Sequence, residues 1–157
     1  MRTTPAARNS FSRPRNAAIT CSRSIVLTAA QGGESLVVLV DTSVWIGHFR
    51  RGESALSKLL LDGEAGLHPF VLGEIAAGNL KDRSATLGLL ASLPRASVAS
   101  ESEVRHLLES RRLWGAGLGW VDLHLLASAM VGEWRLFTAD KALRKDAAAL
   151  GIEFRAR

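Results

Sequence analysis

The chain has 157 residues, of which 47% are hydrophobic and 22% charged, values typical of a single globular domain with its own core. No apolar run approaches the ~18–20 residues that a membrane-spanning helix needs. The single cysteine, Cys21, cannot form an internal disulfide. Nothing in the composition therefore indicates an oxidising compartment, and we expect a cytoplasmic protein.

The net charge of +5 comes from the N-terminal segment, because residues 1–33 hold five arginines and no acid. Since the whole chain has 20 basic and 15 acidic residues, 15 of each remain from Glu34 onward. Total charge is therefore no guide to nucleic-acid binding. An RNA-binding surface would have to come from local cationic patches: Arg50–Arg51, Arg111–Arg112, and Lys141 with Arg144 and Lys145.

Residues 1–35 show no sustained hydrophobic periodicity and are rich in Arg, Ser, Thr and Ala. Two interpretations remain open for this segment: a disordered arm, or an extension from a start codon assigned too far upstream. We expect the folded domain to occupy residues 36–157.

The first half of that domain alternates between strand and helix patterns. Residues 36–40 form a continuous apolar run that predicts a strand buried on both faces. Asp41-Thr42-Ser43 then supplies helix N-cap chemistry, and the Ser100/Glu103 pair predicts a capping box. We expect further helices at 54–61, 70–77, 83–92 and 100–113, with short strands at 66–68 and 96–99.

The second half continues the alternation. A glycine-rich loop at 115–119 leads into an apolar helix at 120–131, and a strand at 135–138, a helix at 141–150 and a last strand at 152–154 follow. Strands that alternate with helices indicate a parallel sheet covered on both faces. The predicted fold class is α/β, with three layers and a mostly parallel central sheet.

Two aspartates, Asp41 and Asp140, stand just past the end of a predicted strand and at the start of a helix. Parallel strands bring such positions to one edge of the sheet, where ligands bind in open α/β folds. Each aspartate could equally be a plain helix N-cap, and the sequence leaves that alternative open.

Two further acids, Glu74 and Asp122, lie on predicted helices among apolar neighbours. A carboxylate on an apolar face is costly unless it is paired or binds a cation. For Asp122 the alternative is a carboxylate that complements the helix dipole. Should the four acids converge, a cation must neutralise them, and hard oxygen ligands suit Mg²⁺ or Mn²⁺.

Other chemistry has little support in the sequence. The four histidines, at 48, 68, 106 and 124, lack metal-ligand spacing, and no cysteine accompanies them. The glycines at 115, 117 and 119 do not make a dinucleotide fingerprint. We interpret the four tryptophans, at 45, 114, 120 and 134, as core or interface residues rather than base-stacking platforms.

Four blocks of the sequence, each containing one of the acids, resemble a known family. Residues 38–46, 74–78, 117–128 and 136–141 look like the successive motifs of VapC toxins, which are PIN-domain endoribonucleases. The resemblance covers residues 36–157 and leaves the N-terminal segment unexplained.

The resemblance implies roles for six residues. Asp41 and Asp122 would be the principal metal ligands, with Asp140 as a further ligand. Glu74 would complete the acidic pocket and help to orient the metal or the attacking water. Thr138 and Ser43 would hydrogen-bond to these acids.

The resemblance also implies that the protein cuts RNA through a water activated by Mg²⁺ or Mn²⁺, without a covalent intermediate. It implies a homodimer and a cognate antitoxin that silences the enzyme. Two alternatives are a PIN-domain nuclease in housekeeping RNA processing and a binding module without catalysis. The presence of all four acids argues against the second.

Overall fold

A computed structural model describes residues 36–156 as a three-stranded parallel sheet, in the order β2-β1-β3, with helices packed around it. Among the helices in this range, none is long and apolar enough to cross a membrane. The elements in chain order are β1 (Val38–Val40), α1 (Thr42–Arg51), α2 (Ser54–Leu61), β2 (Ala65–Gly66), α3 (Pro69–Ala77), α4 (Arg83–Ala91), α5 (Glu101–Ser110), α6 (Trp120–Val131), β3 (Arg135–Phe137) and α7 (Lys141–Ala149).

β1 is the central strand, as its unbroken apolar run predicts. All three of its residues are buried, with Leu39 and Val40 fully so. It pairs in parallel with β2 on one side and with β3 on the other, where Val40 lies opposite Phe137. The ends of β1 and β3 are therefore in register, and the residues that follow them emerge side by side. The predicted α/β class with a parallel sheet is confirmed.

The strand predicted at 96–99 is wrong, because only the preceding residue, Arg95, bridges to the sheet at Leu67. Pairing stops there since His68, the residue after Leu67, already caps α3. The Ala99 N–H donates instead to the Ser128 hydroxyl at 3.0 Å. A hydroxyl on α6 thus replaces the ladder partner that a strand would have needed.

The strand predicted at 152–154 is also reduced to one parallel bridge, between Leu136 and Glu153. Leu136 donates to the Ile152 carbonyl at 2.7 Å and accepts from the Phe154 N–H at 2.9 Å. The segment therefore covers the outer edge of β3 at one residue only.

Helix α5 begins as predicted and ends three residues early. The Ser100 N–H donates to Glu103 Oε2 at 2.6 Å, and the Glu103 N–H donates to Ser100 Oγ at 3.3 Å, which completes the capping box. Arg112 adopts a left-handed conformation (φ 53°) and the Leu113 N–H bonds back to the Leu108 carbonyl at 3.0 Å. This turn closes the helix.

Gly66 lets a tryptophan lie against the sheet. A Cβ at this position would come within 2.5 Å of the Trp134 ring and within 2.9 Å of the Val37 side chain. Such approaches are impossible for any residue with a side chain unless the neighbours move. Gly66 therefore fixes where the loop before β3 packs on β2.

A buried histidine links α3 to α6. His68, with no exposed surface, caps α3 by accepting the Phe70 N–H on Nδ1 at 3.1 Å. Because Nδ1 accepts, the proton lies on Nε2, which donates to Ser128 Oγ at 3.1 Å. Burial, together with nearby His124, lowers the pKa of His68 to about 4. A neutral imidazole thus holds together the two helices that carry Glu74 and Asp122.

We predict that this histidine makes the fold acid-sensitive. Because the pKa is lowered from 6.5 to about 4, the unfolded chain binds the proton more tightly than the folded protein. The free energy of unfolding should therefore fall as the pH drops from about 6.5 to about 4, by up to about 3 kcal/mol from this residue. Denaturant unfolding of wild type and His68→Gln at several pH values measures it.

The variant removes the titrating group and leaves all other groups unchanged. His68→Gln should be less stable than wild type at pH 7, and the gap between the two proteins should narrow towards pH 4. A difference in unfolding free energy that stays constant over this pH range would contradict the lowered pKa of His68.

Candidate active site

Asp41 lies at the carboxyl end of β1 and is 7% exposed. Three donors converge on its Oδ2 atom: the Ser43 N–H at 3.3 Å, the Ser43 hydroxyl at 2.5 Å and the Thr138 hydroxyl at 2.8 Å. The first of these is the N-cap bond that the sequence left as an alternative. The hydrogen bonds from the Ser43 and Thr138 hydroxyls also fix the orientation of the Asp41 carboxylate, which a plain N-cap does not require.

The same threonine places the second strand-end aspartate. The Asp140 N–H donates to Thr138 Oγ1 at 3.0 Å, and Asp140 Oδ1 caps α7 by accepting the Leu143 N–H at 2.9 Å. The Ala139 N–H donates to Ser43 Oγ at 3.0 Å. The predicted meeting of strand ends is thus realised through direct hydrogen bonds between the segments after β1 and β3.

Glu74 reaches the site through a residue that the sequence did not single out. Its Oε2 atom accepts a hydrogen bond from the Thr42 hydroxyl at 2.5 Å, and Thr42 directly follows Asp41. Glu74 lies among apolar neighbours on α3, as expected, but it is exposed, so its carboxylate does not bear the cost of burial. It lines an open groove of about 610 Å³ between α1, α3 and the start of α4, so that face of α3 stays uncovered.

Asp122 is the third residue of α6 and is half-buried. Its Oδ2 atom accepts the Gly119 N–H at 2.7 Å, so it also caps its helix. Burial raises the pKa of Asp122, the Gly119 hydrogen bond lowers it, and the charges of Asp41, Asp140 and Glu74 raise it further. The net shift is upward. The negative charges of Asp41, Asp140 and Glu74 therefore lie near enough to Asp122 to disfavour its ionised form.

The four carboxylates use their oxygens in the same way. In each, one oxygen accepts every hydrogen bond found within residues 36–156: Oδ2 of Asp41, Oε2 of Glu74, Oδ2 of Asp122 and Oδ1 of Asp140. The second oxygen of each acid is left to bind something else. Carboxylate oxygens of this kind suit hard divalent cations, so the donor set fits Mg²⁺ or Mn²⁺.

The four side chains do not form a compact set of metal ligands. Within the described part of the chain, no three His, Cys, Asp or Glu side chains stand close enough to hold a metal. Like charges repel, so carboxylates that approach closely need a cation among them or a proton on one of them. The four acids are therefore held by their own hydrogen bonds and do not form a preassembled metal site.

Comparison with known proteins identifies the family. The PIN domain model matches residues 38–148, from β1 into α7. Ribonuclease VapC32 from Mycobacterium tuberculosis, in strains CDC 1551 / Oshkosh and ATCC 25618 / H37Rv, is 50% identical over 117 residues, covering 74% of this chain and 94% of the relative. The chain belongs to the VapC ribonucleases of the PIN-domain family.

Solved structures share the PIN fold at low sequence identity. A toxin-antitoxin complex from Klebsiella pneumoniae aligns with a TM-score of 0.57 at 18% identity, covering 76% of this chain and 98% of that one. PAE2754 from Pyrobaculum aerophilum aligns with a TM-score of 0.52 at 17% identity, covering 73% and 87%. These likenesses establish the architecture.

We predict that Asp122→Asn stabilises the metal-free PIN domain or leaves it unchanged. Because the pKa of Asp122 is raised, its ionised form at pH 7 weakens the fold, whereas a neutral amide removes the repulsion and still accepts the Gly119 N–H. The variant should also gain less thermal stability from Mg²⁺ or Mn²⁺ than wild type does. Thermal melts with and without metal test both effects.

Asp62→Asn is the matched control, since Asp62 is an exposed acid at the end of α2. It should melt like wild type and respond normally to metal. If Asp122→Asn melts lower than wild type without metal and gains as much from metal, Asp122 has only a structural role.

We further predict that the Thr42 hydroxyl sets the position of Glu74. Thr42→Val keeps the side-chain shape but cannot donate, so Glu74 loses its only hydrogen bond within the described residues. RNA cleavage should fall about 10-fold or more, with a higher metal concentration needed for half-maximal rate. Thr42→Ser keeps the hydroxyl and should restore both quantities. Equal activity of the Val and Ser variants would rule out this role.

Proposed function

We propose that this protein is the toxin of a toxin–antitoxin pair, an endoribonuclease that uses a divalent metal. The observation that carries the proposal is the set of hydrogen bonds by which Ser43 and Thr138 join Asp41 and Asp140 at the ends of β1 and β3. It is supported by the 50% identity to a protein named ribonuclease VapC32. The nuclease domain would span residues 36–157.

Asp41, Asp122 and Asp140 would hold Mg²⁺ or Mn²⁺ through the oxygens that their hydrogen bonds leave free. Such an ion, when bound, lowers the pKa of water and offsets negative charge at the phosphate. Ser43 and Thr138 would keep the Asp41 carboxylate in place, because both donate to its Oδ2 atom.

Glu74 would orient the attacking water. Its Oε2 atom is occupied by the Thr42 hydroxyl, and its exposed position leaves Oε1 able to accept a hydrogen bond from water. Because Thr42 follows Asp41 directly, the water would lie between Glu74 and the end of β1. No side chain is required to form a covalent bond with the RNA.

The proposed partners follow from the toxin role. A cognate antitoxin would silence the enzyme, and the fold shared with a protein titled as part of a toxin-antitoxin complex supports this. We also propose a homodimer and a cytoplasmic location, where RNA and a freshly synthesised antitoxin are both present.

We predict that purified wild-type protein cleaves single-stranded RNA with Mg²⁺ or Mn²⁺ and not in EDTA. Asp41→Asn should reduce the rate by at least about 100-fold, because it removes a carboxylate charge at the proposed metal site. Gel analysis of labelled RNA measures the rate, with Asp62→Asn as the matched control. Cleavage that does not need a metal would overturn the proposed role of the metal. Absence of any cleavage would overturn the assignment as a nuclease.

The same pair of proteins tests the toxin role. Wild type expressed alone should arrest bacterial growth, Asp41→Asn should not, and co-expression of the neighbouring gene should relieve the arrest. Normal growth with abundant wild-type protein that cleaves RNA in vitro would favour a housekeeping nuclease instead.

A further inference from the structure

The sequence contains three local cationic patches, and the structure separates one of them from the other two. Arg50 and Arg51 lie in the last turn of α1, while Arg111 is the C-cap of α5 and Arg112 follows it. Positive charges at the C-terminal end of a helix interact favourably with the helix dipole. Both pairs therefore have a role in stabilising the fold itself.

The third patch lies at the opposite end of its helix. Lys141 is the first residue of α7, and Arg144 and Lys145 follow it by three and four positions. Because residues at these spacings share one side of a helix, the three side chains form a single surface, the cationic face of α7. All three residues are exposed, whereas Leu143 and Ala147 on the other side of the helix are buried.

This placement works against the stability of α7. Positive charges near the start of a helix oppose the helix dipole, and like charges three or four positions apart repel each other. The acid within α7, Asp146, follows Ala142 and Leu143 by four and three positions, so it lies on another side of the helix. No side chain of α7 itself therefore offsets the repulsion within the cationic face.

The neighbouring acid of the candidate site does not pair with the cationic face either. Arg144 follows Asp140 by four positions, which is the usual spacing of a helical ion pair. Within residues 36–156, however, the side-chain ion pairs lie elsewhere, one inside α5 and one near the C-terminus. One oxygen of Asp140 caps α7 instead. The cationic face is therefore available to an anion from outside the protein.

The cationic face begins at the candidate active site. Lys141 directly follows Asp140, and the Thr138 hydroxyl links Asp140 to Asp41 at the ends of β3 and β1. At a rise of about 1.5 Å per residue, Arg144 and Lys145 lie only about 6 to 8 Å further along the helix. Side chains of this length can reach the phosphates on either side of one that lies at the acids.

We propose that the cationic face of α7 binds the RNA backbone on one side of the cleaved bond, through its phosphates. This rests on the proposed nuclease function. RNA is the polyanion that a nuclease has to bring to its acids, which favours it over an acidic protein segment as the occupant. Phosphate contacts fix position and carry no base preference, so this surface positions the strand without selecting its sequence.

Arg111 and Arg112 provide a matched control. Both are exposed, and changing them to glutamine removes two positive charges from the surface. Arg111 borders a groove with Val131, the last residue of α6, whereas Asp122 lies in the first turn of that helix. A general loss of attraction between the protein and RNA would therefore appear equally at this remote pair and on α7.

The test compares wild type with three double variants of the full-length chain: Arg144→Gln/Lys145→Gln, Arg111→Gln/Arg112→Gln, and the charge-keeping Arg144→Lys/Lys145→Arg. Lys141 is left unchanged because it adjoins Asp140. Binding of a fluorescent single-stranded oligoribonucleotide is measured by anisotropy in EDTA at several salt concentrations. Cleavage with metal gives kcat and KM, and thermal melts verify folding. The N-terminal arginines are the same in every protein, so their contribution cancels.

Arg144→Gln/Lys145→Gln should bind the RNA about 10-fold or more weakly at about 0.1 M salt. The slope of log affinity against log salt concentration should become shallower by about 1.4, at about 0.7 for each lost phosphate contact. KM should rise in step while kcat stays within about 2-fold, since the contacts are equally strong before and during the reaction.

The other two variants should bind RNA within about 2-fold of wild type, because the charge-keeping variant retains the attraction and the remote pair does not contact the strand. Without RNA, Arg144→Gln/Lys145→Gln should melt at the same temperature as wild type or higher, since it removes charges that oppose the helix dipole.

Unchanged RNA affinity in Arg144→Gln/Lys145→Gln, or equal losses in both glutamine variants, would overturn the proposal. A lower kcat with unchanged KM would also overturn it, because the cations would then act on the acids and not on the RNA backbone. Normal RNA binding combined with loss of relief by the neighbouring gene would assign the cationic face to a protein partner. Wild type that neither binds nor cuts RNA would overturn the proposed function itself.

Discussion

The hydrogen bonds that converge on one oxygen of Asp41 hold together the carboxyl ends of the two neighbouring strands β1 and β3. Thr138, at the end of β3, donates to this oxygen and accepts from the backbone of Asp140. Ser43 donates to it from the first turn of α1. Because the acceptor is a buried carboxylate, losing these donors would leave a charge without compensation. The site and the register of the sheet therefore depend on the same contacts.

A second buried connection positions the two helices that carry Glu74 and Asp122. His68 joins the start of α3 to Ser128 in the middle of α6, and these helices carry Glu74 and Asp122. Buried hydrogen bonds of this kind define one arrangement of the helices, since any other would leave polar atoms unpaired. The lowered pKa of His68 keeps the link neutral at physiological pH. Protonation of His68 at low pH should weaken the link between α3 and α6, and with it the relative placement of Glu74 and Asp122.

Much of this protein can be predicted from its sequence. The apolar run at 36–40 requires a strand covered on both faces, and alternation with helical patterns requires parallel pairing. Asp41 and Asp140 could be assigned to one edge because both follow strands of a parallel sheet, whereas the direct pairing of β1 with β3 is known only from the structure. The Ser100/Glu103 capping box was also predictable, since it is formed by residues three apart. These features depend on local patterns and on topology, which the order of residues determines.

Only the tertiary structure decided the rest. Thr42 bonds to Glu74 across 32 positions and His68 to Ser128 across 60, and no periodicity signals either pair. The strand expected at 96–99 did not form, because the hydroxyl of Ser128, distant in sequence, takes the Ala99 N–H. Trp120 and Trp45 look alike in sequence, yet one is 46% exposed and the other 2%. Burial and hydrogen-bond partners are set by which helices come into contact. Local patterns determine the elements and their order, and packing between distant segments determines which side chains meet.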